Sequence, residues 1–289
     1  PLLAAIGGML FPAIIFFVFN AGTENLHGWA IPTATDIAFS LGVLSLLGNR
    51  VPLSLKVFLT ALAIIDDLGG ILIIAVFYTN DIQLHYLLLS IVMLAVLFLL
   101  NKYKISRFIF YFIPALFLWY FVYKSGVHAT IAGVLSALFI PIGKVEQYEH
   151  LLHKPVNYLI LPVFALANTT IALSAESIPH VFSDLGFGII LALFLGKTMG
   201  ISSLVFLSIK TRICELPQDI SFKHIAGVAM LAGIGFTMSL FFTALSFKHP
   251  GNANIARLSI IMGSTISGIC GLLFLSVTLN KQASPVEKP

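Results

Sequence analysis

The run from Leu53 to Ile74 reads LSLKVFLTALAIIDDLGGILII and places two adjacent carboxylates, Asp66 and Asp67, between apolar-dominated segments. A bilayer core of about 30 Å takes about 20 apolar helical residues, so this run predicts a membrane span. An ionisable side chain at mid-bilayer costs about 2.5 to 3.5 kcal/mol to insert, and such residues indicate function. The alternative is a structural pair satisfied by Ser, Thr or backbone donors, but an apolar pair at these positions would pack better. Adjacent helical positions point about 100° apart, so the two carboxylates need not serve the same purpose.

The composition of the whole chain agrees with a membrane protein. Of 289 residues, 58% are hydrophobic and only 10% are charged, against about 25% charged in an average globular chain. With 25 Phe to cover, most of the surface must face lipid or other apolar helices. This excludes a nucleic-acid binder, a disordered scaffold and a secreted disulfide domain. The net charge of +4 is accounted for by basic residues that flank membrane spans.

The fold class predicted from these patterns is an all-α polytopic membrane protein with about ten spans in residues 1–279 and a short cytoplasmic tail, 280–289. The predicted spans are Leu2 to Phe19, Gly28 to Leu47, Leu53 to Tyr78, Leu84 to Leu100, Phe108 to Tyr123, Val127 to Ile142, Val156 to Leu173, Leu185 to Leu207, Ile225 to Phe247 and Ile255 to Leu279.

The distribution of basic residues supports this count. Alternate connections on one side collect twelve Lys and Arg, whereas the other side holds only Lys124, Lys248 and Arg257. Cytoplasmic loops carry the excess of positive charge. The pattern therefore predicts that the C-terminus is cytoplasmic and that the first span starts from the cytoplasm.

Lys197 is the remaining basic residue, and it lies inside the span from Leu185 to Leu207. A buried ammonium needs a carboxylate partner, and Asp66 and Asp67 are the plausible ones. The alternative is a lysine that extends to the membrane surface. The sequence does not distinguish between the two aspartates.

Two of the predicted spans are interrupted. Thr35 and Asp36 have the form of a helix N-cap, and the residues from Asp36 to Leu47 make only about 18 Å of helix, too short to cross. The second interruption contains Gly233 and Gly235, which taken alone would also fit close helix packing.

The interrupted spans are each the middle member of a group of three, one group near each end of the chain. Interrupted spans at corresponding positions of two halves are the best sequence pointer to a transporter binding site. By their connections the two groups run in opposite orientations. We therefore expect a first repeat in residues 1–78, connecting spans in 79–184 and an inverted repeat in 185–279.

Four segments resemble the signature segments of the NhaA-type sodium/proton antiporters, over nearly the whole chain. They are Ala34 to Phe39, Ala61 to Gly69, Val127 to Gly133 and Gly233 to Ser239. The inverted-repeat fold with discontinuous helices is then what the resemblance implies. Members have twelve spans, so we expect that the first two spans and the start of the third precede this chain, together with the hairpin of a homodimer.

The resemblance also implies roles for individual residues. Asp66 and Asp67 match the carboxylates that bind sodium, Asp36 and Thr35 the crossing of the broken helices, and Lys197 the basic residue that compensates charge. Gly233, Gly235 and Thr237 match the second broken helix. Some residues of the family are linked to pH response, and the positions that match them in this chain are His128, Glu149, His150 and His153. Taken from the residues alone, Glu149 to His153 fits a solvated cytoplasmic loop better than a zinc site, although histidine does titrate near physiological pH.

The predicted function is secondary antiport in the bacterial inner membrane, exporting sodium or lithium in exchange for protons and regulating intracellular pH and sodium. The ion is the substrate, and neither an enzyme activity nor a cofactor is expected. Oxygen ligands suit a small hard cation, and burial favours the protonated form of a carboxyl group. Sodium and protons would therefore compete for the carboxylates, and Lys197 would exchange partners.

Two alternatives are open. A sodium-coupled solute symporter of similar fold would need a polar cavity, for which the spans contain few polar side chains. An intramembrane aspartyl protease would need its carboxylates on separate helices, one of them within Gly-x-Gly-Asp, and this motif is absent.

Overall fold

The computed structural model describes residues 1–79, 82–169 and 180–279, and in these ranges the chain forms helices and no strand. The predicted tail, 280–289, lies outside the described residues, as does the end of the predicted span Val156 to Leu173. In chain order the helices are α1 (Leu2–Asn20), α2 (Ile37–Ser45), α3 (Leu53–Phe77), α4 (Leu84–Lys102), α5 (Phe108–Lys124), α6 (Thr130–Leu138), α7 (Ile142–Pro155), α8 (Leu161–Asn168), α9 (Asp184–Lys210), α10 (Phe222–Leu231), α11 (Phe236–Ser246) and α12 (Pro250–Leu279).

Several helices in the described ranges have the length and apolar character of a membrane span. Five qualify singly, namely α1, α3, α4, α9 and α12. Helices α10 and α11 qualify together, although they are bent by 48° at the break between them. Helix α5 is apolar but has 17 residues. These helices make the chain a multi-pass membrane protein.

The chain forms two compact units, Pro1–Gly70 with Ala167–Pro289 and Ile71–Leu166. In the first unit α1 packs along α9, and α10 packs against α12. Its core contains fully buried leucines of α3, Leu55, Leu59 and Leu62, together with Val228 of α10 and Leu275 of α12. Glycines allow α1 and α9 to approach closely, because a Cβ on Gly200 would overlap the carbonyl group of Gly7.

The second unit contains α4, α5, α6 and α7. Its core includes Leu97, Leu118 and Tyr148, and the ring of Tyr148 lies 5.1 Å from that of Phe108 in an edge contact. The span predicted from Val127 to Ile142 contains an α-helix of only nine residues, α6. A glycine in the left-handed region, Gly126 with φ 88°, precedes it, and Pro141 follows, which disfavours helix in the residue before it.

The segment from Glu149 to His153, predicted to be a loop, is helical and lies within α7. Tyr148 is buried against α5, whereas the apolar residues at helical spacing from it, Val145 and Leu152, are exposed. Tertiary packing of the Tyr148 ring therefore stabilises this otherwise polar and exposed helix. The loop prediction was therefore wrong for these residues.

The second predicted interruption is present as a broken span, whereas the first is a non-helical segment that precedes α2. Helix α2 begins at Ile37 with Asp36 as its N-cap, and the Phe39 N–H donates to Asp36 Oδ1 at 3.1 Å. The chain before it forms short 3₁₀ turns, Glu24–Gly28 and Ile31–Thr33, rather than a half-helix. The second break separates α10 from α11.

Candidate ion-binding site

The two adjacent aspartates of α3 have different surroundings. Asp66 is 1% exposed, whereas Asp67 is only partly buried. The 100° rotation between neighbouring helical positions accounts for this difference. Asp66 therefore faces the interior of the first unit, and Asp67 lies at the edge of the same site.

Lys197 supplies the positive charge at this site. It directly follows a π-helical segment of α9, Ala192–Gly196, and such bulges are frequent at functional sites. A Cβ on Gly196 would lie 2.8 Å from Pro12 Cα, so the glycine permits the contact of α9 with α1. The ammonium of Lys197 is paired with the Asp66 carboxylate, and neither side chain is exposed. It also donates to the Thr33 carbonyl oxygen at 2.5 Å.

Thr35 connects this ion pair to the second interrupted helix. Its hydroxyl lies 2.7 Å from Asp66 Oδ2 and 2.9 Å from the Ala232 carbonyl oxygen, and either oxygen can accept its single proton. The backbone N–H of Asp36 donates to the Ile234 carbonyl oxygen at 2.7 Å. Carbonyl groups freed at the end of α10 are thus satisfied by residues that precede α2.

The carboxylate of Asp36 lies at the start of two helices. Its Oδ1 accepts from the Phe39 N–H of α2. Its Oδ2 accepts from the Thr237 N–H of α11 at 2.9 Å and from the Thr237 hydroxyl. Helix N-termini carry partial positive charge, so Asp36 is stabilised by both.

Two serines make reciprocal contacts across the interruptions. The Ser40 hydroxyl of α2 donates to the Leu231 carbonyl oxygen at 3.0 Å, and the Ser239 hydroxyl of α11 donates to the Ile31 carbonyl oxygen at 2.7 Å. Each serine lies in the first turns of the helix that follows a break, and each satisfies a carbonyl group before the other break. Neither serine was predictable as a site residue, although both follow their breaks at similar spacing.

One carboxylate oxygen of the site has no hydrogen-bond partner. Asp66 Oδ1 is buried and unpaired among the described residues. The hydrogen bonds and ion pairs of the described part of the chain include none to Asp67. A buried acceptor without a donor is costly, which indicates that a cation, a proton or water satisfies it.

The residues linked by resemblance to pH response lie in the second unit. His128 precedes α6, and its Nδ1 lies 3.0 Å from the Thr130 hydroxyl. Glu149, His150 and His153 lie on α7 and are exposed, and His153 Nε2 lies 3.0 Å from Asn157 Nδ2. The described residues contain no group of three or more His, Cys, Asp or Glu side chains placed to hold a metal ion.

A multi-pass membrane protein with interrupted helices that meet at a buried ionic centre has the features of a secondary transporter. The sequence profile of the family described as Na+/H+ antiporter 1 matches residues 1–275, and the chain belongs to this family. The protein is accordingly a transporter and not an enzyme.

Three relatives illustrate the similarity. The chain is 49% identical over 285 residues to the Na(+)/H(+) antiporter NhaA of Flavobacterium psychrophilum, which covers 96% of the chain and 74% of the relative. It is 48% identical over 294 residues to the NhaA of Aliivibrio fischeri, with coverage of 98% and 77%. It is 47% identical over 298 residues to the NhaA of Vibrio vulnificus, with coverage of 100% and 77%. These matches identify a bacterial membrane protein.

Proposed function

We propose that this protein exchanges sodium for protons at Asp66 and Asp67, with Lys197 as the internal cation that replaces sodium. Sodium/proton antiport itself follows from family membership. The observation that carries the residue assignment is the buried ion pair between Lys197 and Asp66, beside a second carboxylate outside the pair.

A count of charges supports this assignment. Each helix N-terminus is equivalent to roughly half a positive charge, so α2 and α11 together balance the carboxylate of Asp36. Lys197 balances Asp66. When both carboxylates of α3 are ionised, Asp67 is left as the unbalanced negative charge of the site. A monovalent cation, either sodium or a proton, restores neutrality.

The oxygens around this charge suit sodium. Asp66 Oδ1 is unpaired among the described residues, Asp67 is adjacent, and the Thr35 hydroxyl lies 2.7 Å from Asp66 Oδ2. Carboxylate and hydroxyl oxygens are the ligands that hard cations prefer. Sodium arriving between the carboxylates would compete with Lys197 for Asp66 and weaken the ion pair. We propose that lithium, also a small hard cation, binds the same oxygens.

The reciprocal serine contacts support an inverted repeat. Ser40 and Ser239 occupy similar positions after the two breaks, and each reaches a carbonyl group before the other break. Two copies of one motif related by a pseudo-twofold axis would produce this exchange of contacts. The proposed repeats are residues 1–78 and 185–279, joined by 79–184.

Several further features stay predictions. They are the ten spans, the cytoplasmic C-terminus, the homodimer, residence in the inner membrane, sodium export, control of intracellular pH and sodium, and the pH-response residues.

The alternatives fit the site less well. An aspartyl protease needs two carboxylates that share a proton around water, but Asp66 is paired with Lys197. A symporter of organic solutes is not favoured by the family match.

Calorimetric titration of the purified protein with sodium tests the proposal. Two buffers with different ionisation heats report the protons released per ion bound. We expect proton release in the wild-type protein and none in Asp67→Asn. Asp184→Asn changes an exposed carboxylate at the start of α9 and should bind as the wild type does. Binding that survives Asp67→Asn with unchanged proton release would refute the assignment.

A further inference from the structure

A serine of α12, Ser264, accepts hydrogen bonds from backbone N–H groups at the start of α11. The backbone N–H groups of Gly235 and Phe236 both donate to the Ser264 hydroxyl oxygen, each at 3.2 Å. Ser264 is buried and lies 29 residues along the chain from Gly235. Its contact with the break therefore comes from tertiary packing and not from local turn geometry.

The backbone at the break lies directly against its neighbours. A Cβ on Gly233 would lie 2.6 Å from Ser267 Oγ of α12, and a Cβ on Gly235 would lie 2.9 Å from Leu193 Cδ2 of α9. A side chain at Gly233 would push the break away from α12, and a side chain at Gly235 would push it away from α9. Gly233 therefore permits the approach to α12 that brings the N–H groups to Ser264, and Gly235 permits the accompanying approach to α9.

The first N–H groups of α11 are shared between two acceptors. Ser264 accepts from the N–H groups of the N-cap residue, Gly235, and of Phe236, and Asp36 Oδ2 accepts from the next one, that of Thr237. A neutral hydroxyl thus satisfies two donors at the positive end of a helix. Because Ser264 accepts the other two hydrogen bonds, the Asp36 carboxylate can accept from the starts of both α2 and α11.

We propose that Ser264 is a positioning residue for ion binding, which acts by holding the start of α11 so that Asp36 stays centred between the two helices. The inference rests on the proposed function of the Asp66–Asp67 site. Without the Ser264 oxygen, one buried and one partly buried N–H group lose their acceptor, and the positive end of α11 is less compensated. A more positive electrostatic potential where the starts of α2 and α11 meet disfavours a cation at the adjacent carboxylates, so the sodium affinity should fall.

The surroundings of Ser264 allow a test with side chains of equal size. Ser264 lines a cavity of about 330 Å³ together with Phe39, Val43 and Phe236. The threonine and valine variants add the same methyl group beside this cavity. Threonine and valine have nearly the same shape, and only threonine keeps the oxygen.

The experiment compares Ser264→Thr with Ser264→Val in proteoliposomes, where sodium-dependent proton flux gives KM and the maximal rate. At alkaline pH, where protons compete least, we expect Ser264→Val to raise the sodium KM by about five- to tenfold, the effect of losing roughly one hydrogen bond. We expect the maximal rate to change less than KM and Ser264→Thr to stay within about twofold of wild type. Ser259→Ala is the control, since that buried hydroxyl donates within its own helix to the Ile255 carbonyl oxygen.

Equal KM values for the threonine and valine variants would overturn the proposal, as would the same rise in Ser259→Ala. Should Ser264→Val fail to fold, Ser264→Ala takes its place in the comparison with threonine. Absence of sodium-dependent flux in the wild-type protein would instead refute the proposed function, so the two failures are distinguishable.

Discussion

Lys197 and Asp66 form an ion pair in which neither side chain has any exposed surface, although they lie 131 residues apart on α9 and α3. The neighbouring carboxylate of Asp67 is outside the pair and partly exposed. The two adjacent carboxylates are chemically identical, but Lys197 compensates the negative charge of Asp66 and is not paired with Asp67.

Removing one member of this pair should be more damaging than removing both. Asp66→Asn leaves a buried ammonium without its counter-ion, which costs about 3–5 kcal/mol of unfolding free energy in buried pairs. The double variant Asp66→Leu with Lys197→Met replaces the pair by apolar groups and should recover most of that loss. Thermal unfolding in detergent measures both. A double variant no more stable than Asp66→Asn would contradict the pairing.

Sodium affinity should depend on pH in a definite direction. If each sodium ion displaces one proton, the dissociation constant rises about tenfold for each unit that pH falls, once protons compete. The slope arises because the free site binds a proton that the loaded site has released. Sodium titrations across a pH series measure it, and a flat profile in the wild-type protein would exclude competition at the carboxylates.

Replacement of Asp36 should weaken two helix starts at once. Asp36→Ala removes the acceptor of the Phe39 and Thr237 N–H groups, and each lost cap costs about 0.5–2 kcal/mol. Asp36→Asn keeps an amide oxygen and should cost less. Unfolding temperatures of the two variants give the comparison, with the exposed Asp184→Ala as control. Equal losses in all three would argue against a shared cap.

The start of α10 depends on a buried histidine. Nδ1 of His224 accepts from the Ser221 N–H at 3.2 Å, and the His224 side chain is 1% exposed. His224→Ala should lower the unfolding free energy by about 0.5–2 kcal/mol. His224→Gln retains an acceptor and should lose less, while His249→Ala, at an exposed position, should be neutral. Thermal unfolding that is the same for the alanine and glutamine variants of His224 would contradict the cap.

The contact between α1 and α9 should not tolerate a methyl group. In Gly200→Ala the new Cβ would lie 2.7 Å from the Gly7 carbonyl carbon and 2.9 Å from Phe11 Cβ, and such overpacking costs about 1–3 kcal/mol. Gly42→Ala is the matched control in α2, because no atom lies within 4 Å of its added Cβ. There alanine should be neutral or stabilising by up to about 1 kcal/mol. Unfolding measurements that rank the two variants in the opposite order would refute the close contact.

Part of the site could be predicted from local sequence, and part of it could not. Asp36 was predictable as an N-cap, and the break at Gly233 and Gly235 was predictable from backbone chemistry. The contributions of Ser40, Ser239 and Ser264 were not, because a serine in an apolar helix can equally donate to its own helix, as Ser259 does. Only the partner across the break distinguishes the two cases. The helix around His150 was not predictable, because its residues are mostly polar and exposed and its buried contact is that of Tyr148 with α5.

The sequence by itself determined that this protein spans a membrane several times and that an ammonium and several carboxylates lie within its apolar segments, and it predicted two interrupted spans. These conclusions depend on the cost of charge in lipid and on backbone chemistry, which act locally. The tertiary structure decided that Lys197 pairs with Asp66, that Asp36 serves two helices and that Ser264 completes the second. Each of these depends on the distance between residues far apart in the chain, and that distance is set by packing.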